Sequence, residues 1–247
     1  MSMQVWSISD VGIVRKESPN EDTYLVEHLD ENAVLIAVCD GMGGANAGEV
    51  ASSMAANALR TTFTARYKKN MSDEKVTQAL LSAVGEANRV VFETAAKNSE
   101  LLGMGTTVVA AYCDKKHAVV ANVGDSRCYL VTEEGLKRIT NDHSLVAEMI
   151  RRGEISPLEG QRHPSRNLIT RALGVESAVK CDTFTTPVKT GEFLLLCSDG
   201  LHDQVCEPEI YYEIFEAGKP AEACANLAAL ANSRGGTDNT TLVLISF

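Results

Sequence analysis

The chain alternates between compact apolar runs and longer stretches in which apolar residues recur every three to four positions. Val34 to Gly44 reads VLIAVCDGMGG, an apolar run with β-branched members that stops at Asp40-Gly41. A short run closed in this way predicts a buried strand ending in a carboxylate. The form recurs. FLLLCSDG (193–200) also ends in Asp-Gly, AVVANVGD (118–125) ends in Gly-Asp, and Asp238-Asn239 immediately precedes the closing run TTLVLISF. A single Asp-Gly is equally at home in a hairpin turn. Turn formation gives no reason for an aspartate at the end of four core strands, so the four are expected to converge on a cation.

Taken in order, Gln4–Ser9 predicts a first strand, followed by a charged turn carrying Arg15, Glu21 and Asp22. Strands Thr23–Glu27 and Val34–Cys39 come next. Residues 48 to 67 carry Val50, Met54, Ala58 and Leu59 at helical spacing and are rich in alanine, which predicts a helix. The glycines between Met42 and Gly48 allow a close backbone approach between strand and helix. Ser72–Lys97 predicts a second helix with Ser72 as its cap and Asp73 and Glu74 in the favourable first turn. From Gly105 the period shortens. Thr106–Cys113, His117–Val123 and Arg127–Val131 predict strands, and Thr132–Gly135 and Leu136–Thr140 extend the meander. Connections that short imply antiparallel pairing.

Residues 142–175 differ in character, bringing Arg151, Arg152, Arg162, Arg166 and Arg171 into an otherwise acidic chain, broken by Pro157, Gly160 and Pro164. They predict a short helix and an irregular excursion, either a solvated, salt-bridged loop or a lid beside a site. Strands return at Lys180–Thr185 and Glu192–Cys197. Helices follow at Pro208–Ala217 and Pro220–Asn232, each with proline near its start, and Thr240–Phe247 closes the chain as a strand. Strands and helices are grouped, not alternated, so antiparallel sheets with helices outside are expected, in one domain over 1–247.

Composition narrows the function. The 247 residues are 45% apolar and carry a net charge of −10, which disfavours nucleic acid and anionic membranes as partners. No segment reads as a secretory signal or a membrane span. Seven cysteines without CxxC spacing disfavour zinc and dithiol chemistry and point to a reducing cytoplasm. An oxygen-only set of carboxylates suits Mg or Mn. None of the cysteines is followed six positions later by arginine, which excludes the cysteine phosphatases, and GxSxG, Walker, HExxH and kinase motifs are absent.

The segments RKESPNEDTY, VCDGMGGANAGE, GMGTTVV, ANVGDSRCYL, TRALG, LLLCSDGL and GGTDNTTLVL together resemble the ordered motifs of the metal-dependent Ser/Thr protein phosphatases (PPM, protein phosphatase type 2C), most of all the compact bacterial members. The resemblance runs from about residue 8 to the last. It implies an α+β, α-β-β-α four-layer sandwich of two antiparallel sheets, with 142–175 as the flap. It also implies hydrolysis of phosphoserine and phosphothreonine by a metal-activated water at a dinuclear Mn/Mg centre. By the same resemblance Asp40 bridges two tight ions, the Gly41 carbonyl ligates one, and Asp199 and Asp238 complete the ligands of the first ion. Asp22 supports the second ion, Asp125 a third, weaker one, and Arg15 holds the substrate phosphate. The partners implied are phosphorylated targets of a Ser/Thr kinase, with the phosphatase acting as a monomer. Two other readings are a phosphatase of small phosphate esters and a non-catalytic, metal-bound phosphoprotein-docking domain. Two departures stand out. Arg15 is separated from Glu21-Asp22 by five residues, a longer gap than in many members, and Met42 and Ala45 stand where relatives often place histidine.

Overall fold

A computed structural model of the chain describes residues 3–43 and 47–247. Eleven strands among them form two antiparallel sheets. The first takes the order β1 (Gln4–Asp10), β11 (Thr240–Ser246), β10 (Phe193–Cys197), β7 (Arg127–Thr132) and β8 (Gly135–Arg138). The second runs β2 (Asp22–Asp30), β3 (Ala33–Met42), β5 (Val108–Asp114), β6 (His117–Val123) and β9 (Asp182–Pro187), with the short β4 (Gly105–Thr106) pairing the far end of β3. Helices α1 (Ala47–Arg66) and α2 (Asp73–Lys97) cover the outer face of the second sheet. Over the outer face of the first lie α5 (Asp199–His202), α6 (Glu207–Tyr211) and α7 (Pro220–Ser233). The expected four-layer sandwich is the observed one.

The layering explains why the strand sequences read as continuous apolar runs although the sheets are antiparallel. Both faces of each central strand are covered. In β3, Leu35, Ala37 and Cys39 point at α1 and α2, while Val34, Ile36 and Val38 point at the other sheet. In β10, Leu194 and Leu196 fill the gap between the sheets, and Leu195 and Cys197 pack under α7. Strand β11 divides in the same way, with Val243 and Ile245 inward and Leu242 and Leu244 outward. Three apolar layers result, and the strand ends meet at one edge.

Several local expectations are refined. Ser72 occupies the N-cap of α2 in an extended conformation, but its hydroxyl makes no capping bond. The strand expected over Thr106–Cys113 divides into β4 and β5 around Thr107. There the rung opposite Asp40 is completed by a side chain. Thr107 N donates to the Asp40 carbonyl at 2.8 Å, while the Asp40 N–H donates to Thr107 Oγ1 at 3.0 Å. The helix expected over Pro208–Ala217 is α6 followed by a π-helical turn at Tyr212–Glu216. Segment 142–175 holds two short helices, α3 (Leu145–Arg151) and α4 (Pro157–Gln161), the latter opened by a Ser156/Glu159 capping box. Bridge Ser144↔Ile169 closes the segment on itself, and bridge Thr106↔Leu173 ties its end to the body.

Leu196 is fully buried between the sheets, with no alternative place for its side chain. Leu196→Ala is therefore expected to lower unfolding free energy by about 2–5 kcal/mol, measured by urea titration with an unchanged m-value. A loss below about 1 kcal/mol would mean that the two sheets close over the gap.

Candidate active site

The strand ends gather carboxylates from distant parts of the chain. Asp22 and Asp40 are direct partners across β2 and β3. Asp125 follows β6, Asp199 opens α5 directly after β10, and Asp238 precedes β11. The sequence placed Asp199 at a strand end. The structure puts it in the first turn of a four-residue helix whose start is Ser198.

Close backbone contacts make this convergence possible. A Cβ on Gly41 would stand 2.1 Å from the Gly48 carbonyl oxygen, so β3 and the start of α1 can touch only through glycine. Gly41 N also donates to the Glu21 carbonyl at 3.0 Å. A Cβ on Gly200 would lie 2.0 Å from the Asn239 carbonyl, which fixes α5 against the approach to β11.

Polar side chains hold the carboxylates in place. Ser198 Oγ donates to Asp22 Oδ2 at 2.7 Å and accepts from Thr241 N at 3.0 Å. Asn239 accepts from Glu21 N at 2.8 Å and donates to the Val11 carbonyl at 2.9 Å, stitching the N-terminal turn to the 238–240 segment. Arg127 forms a forked pair with Asp142, Nη2 to Oδ2 at 2.7 Å and Nε to Oδ1 at 3.0 Å. Arg15 does not reach into open solvent; its guanidinium pairs with both Glu21 and Asp238. Burial works against its charge, but these two carboxylates outweigh that effect and its pKa is pushed up.

The carboxylates strain against one another. Removal from water pushes Asp40 well above the ordinary carboxylate range, and Asp22, Asp199, Asp125 and Asp238 add to the shift by repulsion. Asp22 rises to about 6, chiefly through burial, against hydrogen bonds from Ser198 and Thr241. Asp125 rises to about 7, through burial and then the charge of Asp142. Asp199 rises to about 8, through burial and then Asp125. Asp199 Oδ1 is buried without a hydrogen-bond partner. A divalent cation would satisfy that oxygen and offset the repulsion, and an all-oxygen donor set suits Mn or Mg. Among the described residues, no three Asp, Glu, His or Cys side chains stand close enough together to hold an ion as they are. Arg15 ties one member, Asp238, to itself.

Beside the carboxylates, a groove of about 1010 Å³ runs between segment 142–175 and residues 202–209. Its walls include Arg127, Arg138, Arg151, Arg162, Arg166 and Arg234, so three of the five arginines that set 142–175 apart face it. Ala45, one of the two positions lacking the histidine of relatives, lies outside the described residues; Met42 ends β3. Ser198, Asn239 and Thr107 were not picked out in the sequence. Their signal was a polar residue within or beside a run of core residues, which burial makes costly unless it is hydrogen-bonded.

The family model described as Protein phosphatase 2C matches residues 12–230. The chain is 41% identical over 238 residues to the serine/threonine phosphatase stp of Listeria monocytogenes, covering 96% of this chain and 93% of that one. The crystal structure of the serine/threonine phosphatase Stp1 from Staphylococcus aureus superposes with a TM-score of 0.92 at 34% identity, covering 100% of this chain and 96% of that one. The catalytic domain of the serine/threonine protein phosphatase PstP, crystallised with two manganese ions, superposes with a TM-score of 0.84 at 32% identity, covering 99% and 98%. A match this complete, over a fold that brings its carboxylates to one edge, means that the chain belongs to the protein phosphatase 2C family and is a Mn- or Mg-dependent Ser/Thr phosphoprotein phosphatase.

Proposed function

We propose that Asp40, Asp199 and Asp238 carry the catalytic centre, with Asp40 shared between two tight ions and the Gly41 carbonyl and Asp22 completing the set. Asp125 holds a third, weaker ion. The observation that carries this reading is the gathering at Asp40: burial raises its carboxyl first, and the charges of Asp22, Asp199, Asp125 and Asp238, from four separate parts of the chain, raise it further. The ions, when bound, supply an activated water at neutral pH and offset the charge on the phosphoryl group. The protein's own part is positional. Ser198 fixes Asp22 through one carboxylate oxygen. The glycine contact at Gly41 brings backbone where a side chain could not stand. Arg15, held at the rim by Glu21 and Asp238, is the cation placed to take the substrate phosphate.

The same reading makes 142–175 a flap and the arginine-lined groove the approach for the substrate protein. Its substrates are phosphorylated by a Ser/Thr kinase, and the enzyme works as a monomer in the cytoplasm. All seven thiols are unpaired, which suits a reducing compartment. None of the described helices is long and apolar enough to cross a membrane.

Asp40→Asn and Asp238→Asn should each reduce Mn-dependent hydrolysis of a phosphoserine peptide by at least about a hundredfold, and chelator should do the same to the wild type. Retained activity in Asp238→Asn, with circular dichroism unchanged, would break the shared-site assignment.

Charge gives a second expectation. Carboxyl groups with raised folded pKa values cost the metal-free protein no stability below the unfolded value of about 3.9, weaken it progressively as pH rises from there to the folded values, and cost no more above them. Those values run from about 6 for Asp22 to about 8 for Asp199. The metal-free protein should therefore melt at a lower temperature at pH 8 than at pH 5. Asp199→Asn should narrow that difference while abolishing turnover. An identical pH dependence in wild type and Asp199→Asn would show that Asp199 does not bear the repulsion.

A further inference from the structure

The loop that carries Asp125 is gripped from two sides by histidines. His143 is 3% exposed, and its Nδ1 accepts the Gly124 N–H at 3.1 Å. Its backbone N–H also donates to the Gly124 carbonyl at 2.9 Å. On the other side, His202 has a side chain only 4% exposed, and its Nε2 lies 3.1 Å from the Asp125 carbonyl, which can only accept. The proton positions follow from these partners. His143 carries its hydrogen on Nε2, and His202 also carries one on Nε2.

Each histidine is backed in the same order. His143 Nε2 donates to Asp182 Oδ2 at 3.2 Å, and Arg171 Nη1 donates to Asp182 Oδ1 at 2.9 Å while lying 3.0 Å from the ring nitrogen. His202 Nδ1 stands 3.4 Å from Asp203 Oδ1 without an aligned hydrogen bond, and Arg166 pairs with Asp203 at 3.7 Å. Two Arg–Asp–His chains thus run from segment 142–175 to the two residues Gly124-Asp125. A histidine buried only for packing has no need to spend a ring nitrogen on the backbone of an ion-binding loop, and two do so here.

We infer that His143 and His202 are positioning residues that clamp the Gly124-Asp125 backbone and so set the affinity of the site at Asp125. The inference rests on Asp125 holding the weaker ion. The clamp acts through the backbone and does not touch substrate. Its effect falls on the weakest ion and leaves the tight pair in place.

The two histidines use different ring positions, and the two carboxamides discriminate between them. Asparagine places its Oδ1 near where Nδ1 stood, and glutamine places its Nε2 near where histidine Nε2 stood. His143→Asn and His202→Gln keep the bond to the loop; His143→Gln and His202→Asn lose it. Mn binding to the full chain, followed by calorimetry and by electron paramagnetic resonance, should show the weak site weakened about tenfold in the two breaking variants. The two keeping variants should stay within about twofold of wild type, with the tight pair unchanged in all four. Melting curves report folding, and a variant lost at one position leaves the pair at the other to decide. Asn and Gln acting alike at each position would overturn the clamp, because a role in packing alone predicts that result. Asp125→Ala separates the two levels. If it removes the weak site while His143→Gln and His202→Asn do not affect it, the clamp is wrong. If it leaves the weak site intact, the assignment of Asp125 fails instead.

Discussion

Crowding carboxylates into one edge of a sandwich is the least favourable thing this fold does, and much of its local structure answers to it. An unpaired buried carboxylate is held in protein only with hydrogen bonds, counter-charge or a cation. The first two appear, and one oxygen has neither. Ser198 and Thr241 bond to Asp22, Arg15 pairs with Asp238, and Asp199 Oδ1 is left with nothing from the protein. The response is graded from the rim inward. Arg15 supplies counter-charge to Asp238 at the rim, while deeper in, at Asp40 and Asp199, burial and mutual repulsion dominate.

That arrangement needs rigid support, which the three apolar layers provide. The carboxylates belong to strand ends and to turns no more than a few residues from them, so their separation is set by strand register and sheet packing. Where side chains would keep the strands and turns apart, glycine removes them, as at Gly41 and Gly200. Antiparallel pairing has a further consequence. Strands entering and leaving the edge place residues far apart in sequence side by side, so Glu21 is bonded to Asn239 and Ser9 to Thr241. The site is assembled only when both sheets are complete, and cannot form from any one hairpin.

Much of this was legible in the chain because burial on two faces writes itself as unbroken apolar runs. Strands β3, β6, β10 and β11 and both long helices could be placed from periodicity alone, and the aspartates followed from how each run ended. What was not legible depends on contacts distant in sequence. Nothing near Thr107 announces that its hydroxyl completes a rung with Asp40. Nothing near Arg15 announces that it sits between Glu21 and Asp238. The one-turn α5 was missed because four residues are too few to show a period, although Asp at its first position is favourable there. The partners of His143 were equally opaque, since it meets Gly124 only across the seam between the meander and segment 142–175.

The distribution of charge also separates stability from function within one small region. Arg127 and Asp142, both largely buried, form a closed pair whose charges cancel locally; burial tends to raise the Asp142 pKa, but Arg127 draws it below the ordinary range. The neighbouring Asp125 and Asp199 are pushed the opposite way. A fold selected only for stability would pair every carboxylate as it pairs Asp142. Among the described residues Asp125 and Asp199 have no such ion pair, and that cost is the one the proposed ion site would offset.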